Sequence, residues 1–312
     1  MSGRPNAAIG RWISRELDRA PPRAKSLVAT VWGDAVAPHG GSVWLSGLIR
    51  LLAPLGLNER LVRTSVYRLS REGWLAKRQT GRRSLYRLTA QGRHRFENAY
   101  RRIYAAPSEA WDGSWDLIVV PPVVGDERGK LRRELAWEGF GAIGAGVYAR
   151  PARTGQTTAA EIVRTLGRSH RVLLLRSREV QPAAMPLAAL LKQCWDLEGL
   201  DADYRRFIAR FRRVVELFRD DSTGPDPAQC FVVRTLLIHE FRRVTLHDPQ
   251  LPAAMLPPRW PARDAYALCR DFYRQTHRCA EQHLAMMLEA GRGPLPPAAP
   301  YFYQRFGGLE TR

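Results

Sequence analysis

Arginine, threonine and tyrosine side chains recur at helical spacing in one short stretch of the amino-terminal third. Arginine pairs bidentately with phosphates and with guanine edges, so a cluster of this kind suits a nucleic-acid partner. The spacing of Leu61, Val62, Val66 and Leu69 predicts a helix after the N-cap Asn58, with these four residues facing inward. The side chains left on the outer face are candidate DNA contacts: Arg60, Arg63, Thr64, Tyr67, Arg68 and Arg71.

A basic turn follows this helix in the sequence. Arg82 and Arg83 come directly after Gly81, between two segments with strand character, Trp74 to Gln79 and Leu85 to Thr89. A basic turn at this distance from a basic helix can bind flanking phosphates, so both arginines are candidate DNA contacts. A solvated basic face on an ordinary helical bundle is the alternative interpretation, and the coincidence of helix and turn favours the first.

Catalytic motifs are absent from the sequence. His239 and Glu240 are adjacent, but the zinc-binding H-E-x-x-H requires a histidine where Arg243 stands. The chain contains no G-x-S-x-G nucleophile motif and no Walker loop. We therefore expect no catalytic residue, no metal and no cofactor. Asp112 and Asp116 form an acidic pair near a predicted strand, which keeps a metal-dependent nucleic-acid-processing enzyme as an alternative.

The charge of the chain is unevenly distributed. Its 312 residues carry 49 Lys and Arg against 30 Asp and Glu, a formal net charge of +19. Through Ala110 the count is 20 basic against 7 acidic residues, as expected of a segment that binds a polyanion.

The four cysteines lack zinc-ligand spacing, so we expect free, buried thiols. No window approaches the ~18 apolar residues of a membrane span, so we expect a cytoplasmic protein with no membrane partner.

The elements that must position the basic residues follow the order helix, strand, helix, helix, strand, strand, helix over residues 24–105. This is the order of a winged helix, whose second paired helix enters the major groove. Residues 1–23 are polar and arginine-rich and predict a mobile arm or a marginal helix. Residues 114–180 predict a small β-α-β-α-β sheet with helices on one face, and residues 185–312 predict a helical domain. The fold class is therefore α+β. A glycine-rich segment, 139–146, predicts a tight turn from helix to strand.

Six stretches of the chain match one family pattern: Gly40 to Leu45, Leu48 to Leu69, Arg71 to Leu75, Gly92 to Tyr104 and, less sharply, Leu237 to Arg243 and Asp248 to Pro252. Through them the sequence resembles the PaaX family, repressors of phenylacetate degradation. The resemblance implies an N-terminal winged helix, a ferredoxin-like middle domain and an all-α C-terminal domain. It also implies release from operator DNA by an aryl-CoA thioester, typically phenylacetyl-CoA.

A second polar cluster lies in the helical carboxy-terminal domain, to which we assign effector sensing and dimerisation. His239, Arg242, Arg243 and His247 fall within about two turns of one predicted helix, and positions 239, 243 and 247 share a face. Beside Phe241, these residues are candidates for binding the CoA phosphates and the aryl ring. A buried polar network between domains is the alternative.

We expect a homodimer on double-stranded operator DNA, because one recognition helix contacts too few base pairs for genomic selectivity. Besides the enzyme alternative, a non-specific structural binder of DNA or RNA stays open. It would show no ligand effect and little sequence preference.

Overall fold

A computed structural model describes residues 4–106, 111–121, 127–152, 159–165, 172–178, 187–220, 224–290 and 293–309. The chain forms two compact units. The first is built from the described parts of Met1–Ala106, Arg206–Arg243 and Asp264–Arg312, and the second from those of Pro107–Arg205 and Val244–Arg263. The helices that we predicted as a separate carboxy-terminal domain are therefore shared between the two units.

The amino-terminal part of the first unit has the predicted order of elements. They are α1 (Ala7–Arg19), α2 (Ala24–Val31), β1 (Ser42–Trp44), α3 (Leu45–Leu52), α4 (Glu59–Arg71), β2 (Leu75–Thr80), β3 (Arg83–Leu88) and α5 (Ala90–Tyr104). The sheet is antiparallel in the order β1-β3-β2, and Tyr86 of β3 lies opposite both Val43 and Lys77. Gly81, in the turn between β2 and β3, has a φ of 57°, which a residue without a Cβ adopts readily.

Of the two alternatives for the amino terminus, the structure shows the helix and not the mobile arm. Residues 7–19 form α1, which begins where the Asn6 side chain accepts a hydrogen bond from Ala8 N (2.9 Å). Ile9 and Trp12 are buried, and the Trp12 ring lies 5.6 Å from that of Phe211. The arginines that suggested an arm lie on the other side of this amphipathic helix, so only tertiary contacts distinguish it from a solvated segment.

The second unit contains an antiparallel four-stranded sheet. Its elements are β4 (Trp115–Val119), α6 (Glu127–Trp137), β5 (Gly141–Gly144), β6 (Val147–Pro151), α7 (Ala159–Thr165) and β7 (Leu173–Ser177). The strand order β5-β6-β4-β7 with this β-α-β-β-α-β sequence is the ferredoxin-like arrangement. The glycine-rich segment is therefore not a simple turn, because it also contains the additional strand β5. Gly146, in the turn between β5 and β6, has a φ of 77° and lies against the end of β4, where a Cβ would come within 2.5 Å of Val120 O.

The two helices predicted within residues 114–180, α6 and α7, lie on one face of this sheet, and the opposite face is covered as well. Ile118 points into a core with Leu135 of α6 and Ile162 of α7. Trp115 points to the opposite face, where Leu191 and Met255 pack. The second layer comes from chain segments distant in sequence, so the local strand pattern carries no sign of it.

The remaining elements are mostly helices, as predicted for residues 185–312. They are α8 (Leu187–Cys194), α9 (Leu197–Arg219), α10 (Pro227–Thr245), α11 (Ala262–Met287), β8 (Glu289–Ala290), β9 (Gly293–Pro294) and α12 (Pro300–Tyr303). None of the helices in the described ranges combines the length and the apolar character that crossing a bilayer requires.

A buried polar cluster joins the amino-terminal helices to α10 and α11 within the first unit. Asp34 Oδ1 accepts from Tyr104 Oη (2.5 Å), from Tyr273 Oη and from Arg305 Nη1 (3.2 Å). Its Oδ2 lies 3.5 Å from Arg234 Nε. We call these five residues the Asp34 network. They join α5 and the segment after α2 to α10 and α11.

Candidate nucleic-acid interface

Helix α4 is defined by its own ends and by one apolar face. The Asn58 side chain accepts from Leu61 N (2.9 Å) at the start, and Gly73, with a φ of 76°, follows the end. Val62, Val66 and Leu69 are buried. These contacts orient the helix, and with it the side chains on its outer face.

All six predicted contact residues on α4 are exposed to solvent: Arg60, Arg63, Thr64, Tyr67, Arg68 and Arg71. Tyr67 is 60% exposed, which is unusual for a large aromatic side chain. Leu61 was predicted to face inward and is instead 43% exposed. Position 61 lies about 100° around the helix from Val62, which places Leu61 beyond the edge of the buried stripe.

The arginines of α4 differ in their partners. Arg63 Nε donates to Glu59 Oε1 (2.7 Å), one helical turn earlier. Arg60, Arg68 and Arg71 have no acidic partner within the described part of the chain. Three cations on this face are therefore uncompensated, which suits a phosphate backbone.

The turn between β2 and β3 presents two arginines that are not equivalent. Arg82 and Arg83 are both exposed, as predicted. The Arg83 guanidinium, however, lies 4.2 Å from the ring centroid of Trp44 in β1. This cation–π contact orients Arg83 against the sheet, whereas Arg82 stands at the tip of the turn.

The effector candidates His239 and Arg242 are bonded inside the first unit. His239 Nδ1 lies 2.8 Å from Thr30 Oγ1, and Arg242 Nη1 donates to the same oxygen (2.8 Å) and to Ser26 O (3.0 Å). Burial, followed by the charges of nearby arginines, lowers the pKa of His239 to about 3. The imidazole is therefore neutral near pH 7, and this pair matches the alternative of a buried network.

The other two effector candidates, Arg243 and His247, are exposed. The Arg243 side chain is 60% exposed and pairs with Glu240 (3.2 Å). His247 lies beyond Thr245, the last residue of α10, so it does not continue the helical face of 239 and 243. Its ring lies 6.4 Å from that of Trp137. The predicted set of four thus contains one buried residue, His239, one half-buried residue, Arg242, and two exposed residues.

The acidic pair considered for a metal does not converge. Asp116 is buried and accepts from Arg176 Nη2 (2.8 Å), and Arg150 Nη2 lies 3.5 Å away. Asp112 accepts from Ser114, which lowers the pKa of the Asp112 carboxyl. In the described ranges no three His, Cys, Asp or Glu residues are grouped as metal ligands.

The four cysteines are free, but only two of them are fully buried. Cys230 and Cys269 are buried, while Cys194 and Cys279 are partly exposed, contrary to our expectation for all four. Burial raises the pKa of the Cys269 thiol, so this group is unreactive.

Two residues of this interface were missed from the sequence. Glu59 could have been identified, because it precedes Arg63 by four positions on a predicted helix. Trp44 gives no local signal, since its contact with Arg83 joins two strands that are 39 positions apart in numbering.

Family models and one curated relative match almost the whole chain. The model of the PaaX-like protein matches residues 23–92, that of the PaaX protein central Cas2-like domain matches 108–188, and that of the PaaX-like protein C-terminal domain matches 195–286. The transcriptional repressor PaaX of Escherichia coli (strain K12) is 34% identical over 308 residues, covering 97% of this chain and 96% of the relative.

A solved structure, the uncharacterized protein Rv0674 from Mycobacterium tuberculosis, matches at 26% identity with a TM-score of 0.46. The match covers 77% of this chain and 90% of that chain. The three family models follow one another along the sequence, and the curated relative extends across all of them. The chain belongs to the PaaX family.

Proposed function

We propose that this protein is a transcriptional repressor that binds operator DNA through α4 and the turn between β2 and β3. The exposed polar face of α4, opposite a fully buried apolar face, is the observation that carries this proposal. The 13 residues of α4 span about 20 Å, and the major groove admits an α-helix. The turn carrying Arg82 would then contact flanking phosphates.

The family to which the chain belongs supports our assignment of the genes that this repressor controls. The Escherichia coli relative is named a transcriptional repressor. We infer that this chain represses phenylacetate-degradation genes and that an aryl-CoA, such as phenylacetyl-CoA, releases it from DNA. Release requires that the ligand bind better to a conformation that binds DNA less well.

The chain would act as a homodimer on two half-sites. Two recognition helices about one helical turn apart multiply the discrimination that a single helix achieves.

The site that binds the effector stays a proposal: Arg243 and His247 are the exposed candidates, while His239 and Arg242 are engaged with α2. Arg243 carries charge and exposure suited to a CoA phosphate.

The experiment that tests the proposal is a binding titration of the full chain against DNA from upstream of its own gene and against a random duplex. Tighter binding to the upstream DNA, weakened by phenylacetyl-CoA but not by phenylacetate or CoA, would support repression with effector release. Equal affinity for both duplexes would indicate a non-specific binder and overturn the proposal.

A matched pair of variants locates the interface in the same assay. Arg68→Ala should lose specific binding. Arg212→Ala removes the same charge from an exposed position on α9 and should bind as the wild type does. Equal losses in the two variants would exclude α4 as the recognition helix.

A further inference from the structure

Glu59 is an acidic side chain at the start of a helix whose outer face is otherwise basic. It is the first residue of α4, and its side chain is 59% exposed. Near DNA a carboxylate repels the phosphates, so it lowers affinity for every sequence. A carboxylate at this position can nevertheless favour binding to one sequence if it improves the discrimination between sequences.

The geometry of the Glu59–Arg63 pair leaves both side chains available to a ligand. Glu59 Oε1 receives Arg63 Nε at 2.7 Å and lies 2.6 Å from Arg63 Nη2. The carboxylate therefore occupies the side edge of the guanidinium. The end edge, formed by Nη1 and the outer N–H of Nη2, is not used in this contact, and Arg63 remains 56% exposed.

This unused edge has the donor spacing that guanine requires. Arginine contacts guanine by donating two parallel hydrogen bonds to O6 and N7 in the major groove. A free arginine side chain has many rotamers and contacts phosphates as readily as bases, whereas a side chain held by a carboxylate loses fewer conformations on binding. Glu59 Oε2 is also directed away from Oε1 and can accept from the N4 amino group of cytosine.

We propose that Glu59 and Arg63 act together as a specificity determinant, in which Glu59 orients Arg63 toward a guanine in the major groove. The inference rests on the proposed function of α4 as the recognition helix. Glu59 is a positioning residue for Arg63, and the pair discriminates between sequences at the expense of general affinity.

The competing explanation of the Glu59–Arg63 contact is an i,i+4 pair that only stabilises the helix. The two explanations predict different effects of substitutions on DNA binding. Loss of helix stability would weaken binding to all DNA in parallel. Loss of orientation would weaken binding to the preferred sequence, while removal of a negative charge would leave binding to random DNA equal or tighter. The ratio of the two affinities therefore separates the explanations.

The test is selection of bound duplexes from a randomised pool by the full chain, followed by sequencing and by titration of the preferred and random duplexes. Glu59→Gln keeps the size of the side chain and removes its charge. Arg63→Lys keeps the charge and removes the bidentate edge. Glu97→Gln is the matched control, because Glu97 is an exposed acid on α5, outside the α4 face.

The wild-type pool should show a required G·C pair at one position of each half-site. Glu59→Gln and Arg63→Lys should both relax that position, and each should lower the ratio of specific to random affinity by about fivefold or more. In the double variant this ratio should be little lower than in either single variant, because both substitutions remove the same contact. Glu97→Gln should leave the base preferences unchanged.

An unchanged preference profile in Glu59→Gln, or a parallel loss for preferred and random DNA, would overturn the inference and leave the proposed function in place. A wild-type pool without any base preference would instead overturn the proposed function itself. Thermal unfolding of each variant verifies folding, and both replaced side chains are more than half exposed.

Discussion

Replacing Asp34 with asparagine should strongly destabilise the protein. Asp34 is 2% exposed, and the guanidinium groups of Arg234 and Arg305 beside it are fully buried. Asparagine keeps the shape and can still accept a hydrogen bond from Tyr104 or Tyr273. The substitution therefore isolates the loss of the negative charge.

The expected magnitude follows from the charges that remain. Arg234 keeps the carboxylate of Glu281, 2.9 Å away, but Arg305 has no second acidic partner among the described residues. Removing one partner of a buried ion pair costs about 3 to 5 kcal/mol, because it leaves an uncompensated buried charge. Since domains are stable by about 5 to 15 kcal/mol, the variant would lose a large fraction of its stability.

Urea unfolding measures this loss, with two matched comparisons. Asp18→Asn removes an exposed aspartate from α1 and should change stability by less than about 0.5 kcal/mol. In an Arg305→Met background, Asp34→Asn should cost less, because the uncompensated guanidinium is already gone. A loss below about 1 kcal/mol, or the same loss in both backgrounds, would refute the reasoning.

Arg68→Ala should weaken binding to the preferred DNA by about 1 to 3 kcal/mol in titrations, and a uniform loss over all sequences would make it a phosphate contact instead. Arg82→Ala should lower all affinities and reduce the salt slope by about one, so an unchanged slope would exclude a phosphate contact there. His239 has a lowered pKa of about 3, so the unfolded chain takes up a proton below about pH 6.5 that the folded chain excludes. Stability should therefore fall by about 2 kcal/mol from pH 7 to pH 5, and urea unfolding of His239→Asn should show a shallower fall. A fragment ending at Tyr104 loses the Arg234 and Arg305 partners of Asp34, so circular dichroism should show it unfolded, whereas an independent winged helix would remain folded.

Local patterns were sufficient to predict the elements of the interface. Asn58 caps the start of α4, Gly73 follows its end, and Gly81 lies in the turn between β2 and β3. Each of these effects depends only on the residue's own backbone conformation or on its nearest neighbours in the chain. The orientation of α4 was also predictable, since a helical period places Val62, Val66 and Leu69 on one face. Leu61 was the exception, because a residue at the edge of that face is buried only if a neighbouring element reaches it.

Contacts between distant residues decided the rest. Asp34 and Arg305 are 271 positions apart, and Thr30 and His239 are 209 apart. Neither pair leaves a periodic signal, because each partner alone is only a polar residue among apolar neighbours. The contact of His239 with α2 is of this kind.

The sequence by itself determined the α+β composition, the start of α4 and the exposed basic face of that helix, because these depend on local backbone preferences and short-range periodicity. The resemblance to a family was carried instead by the identities of particular residues, such as those from Leu48 to Leu69. Only the tertiary structure decided that α1 is packed, that both faces of the sheet are covered and that the carboxy-terminal helices share a core with the amino-terminal ones. Burial and charge pairing depend on which surfaces meet, and that is a property of the whole folded chain.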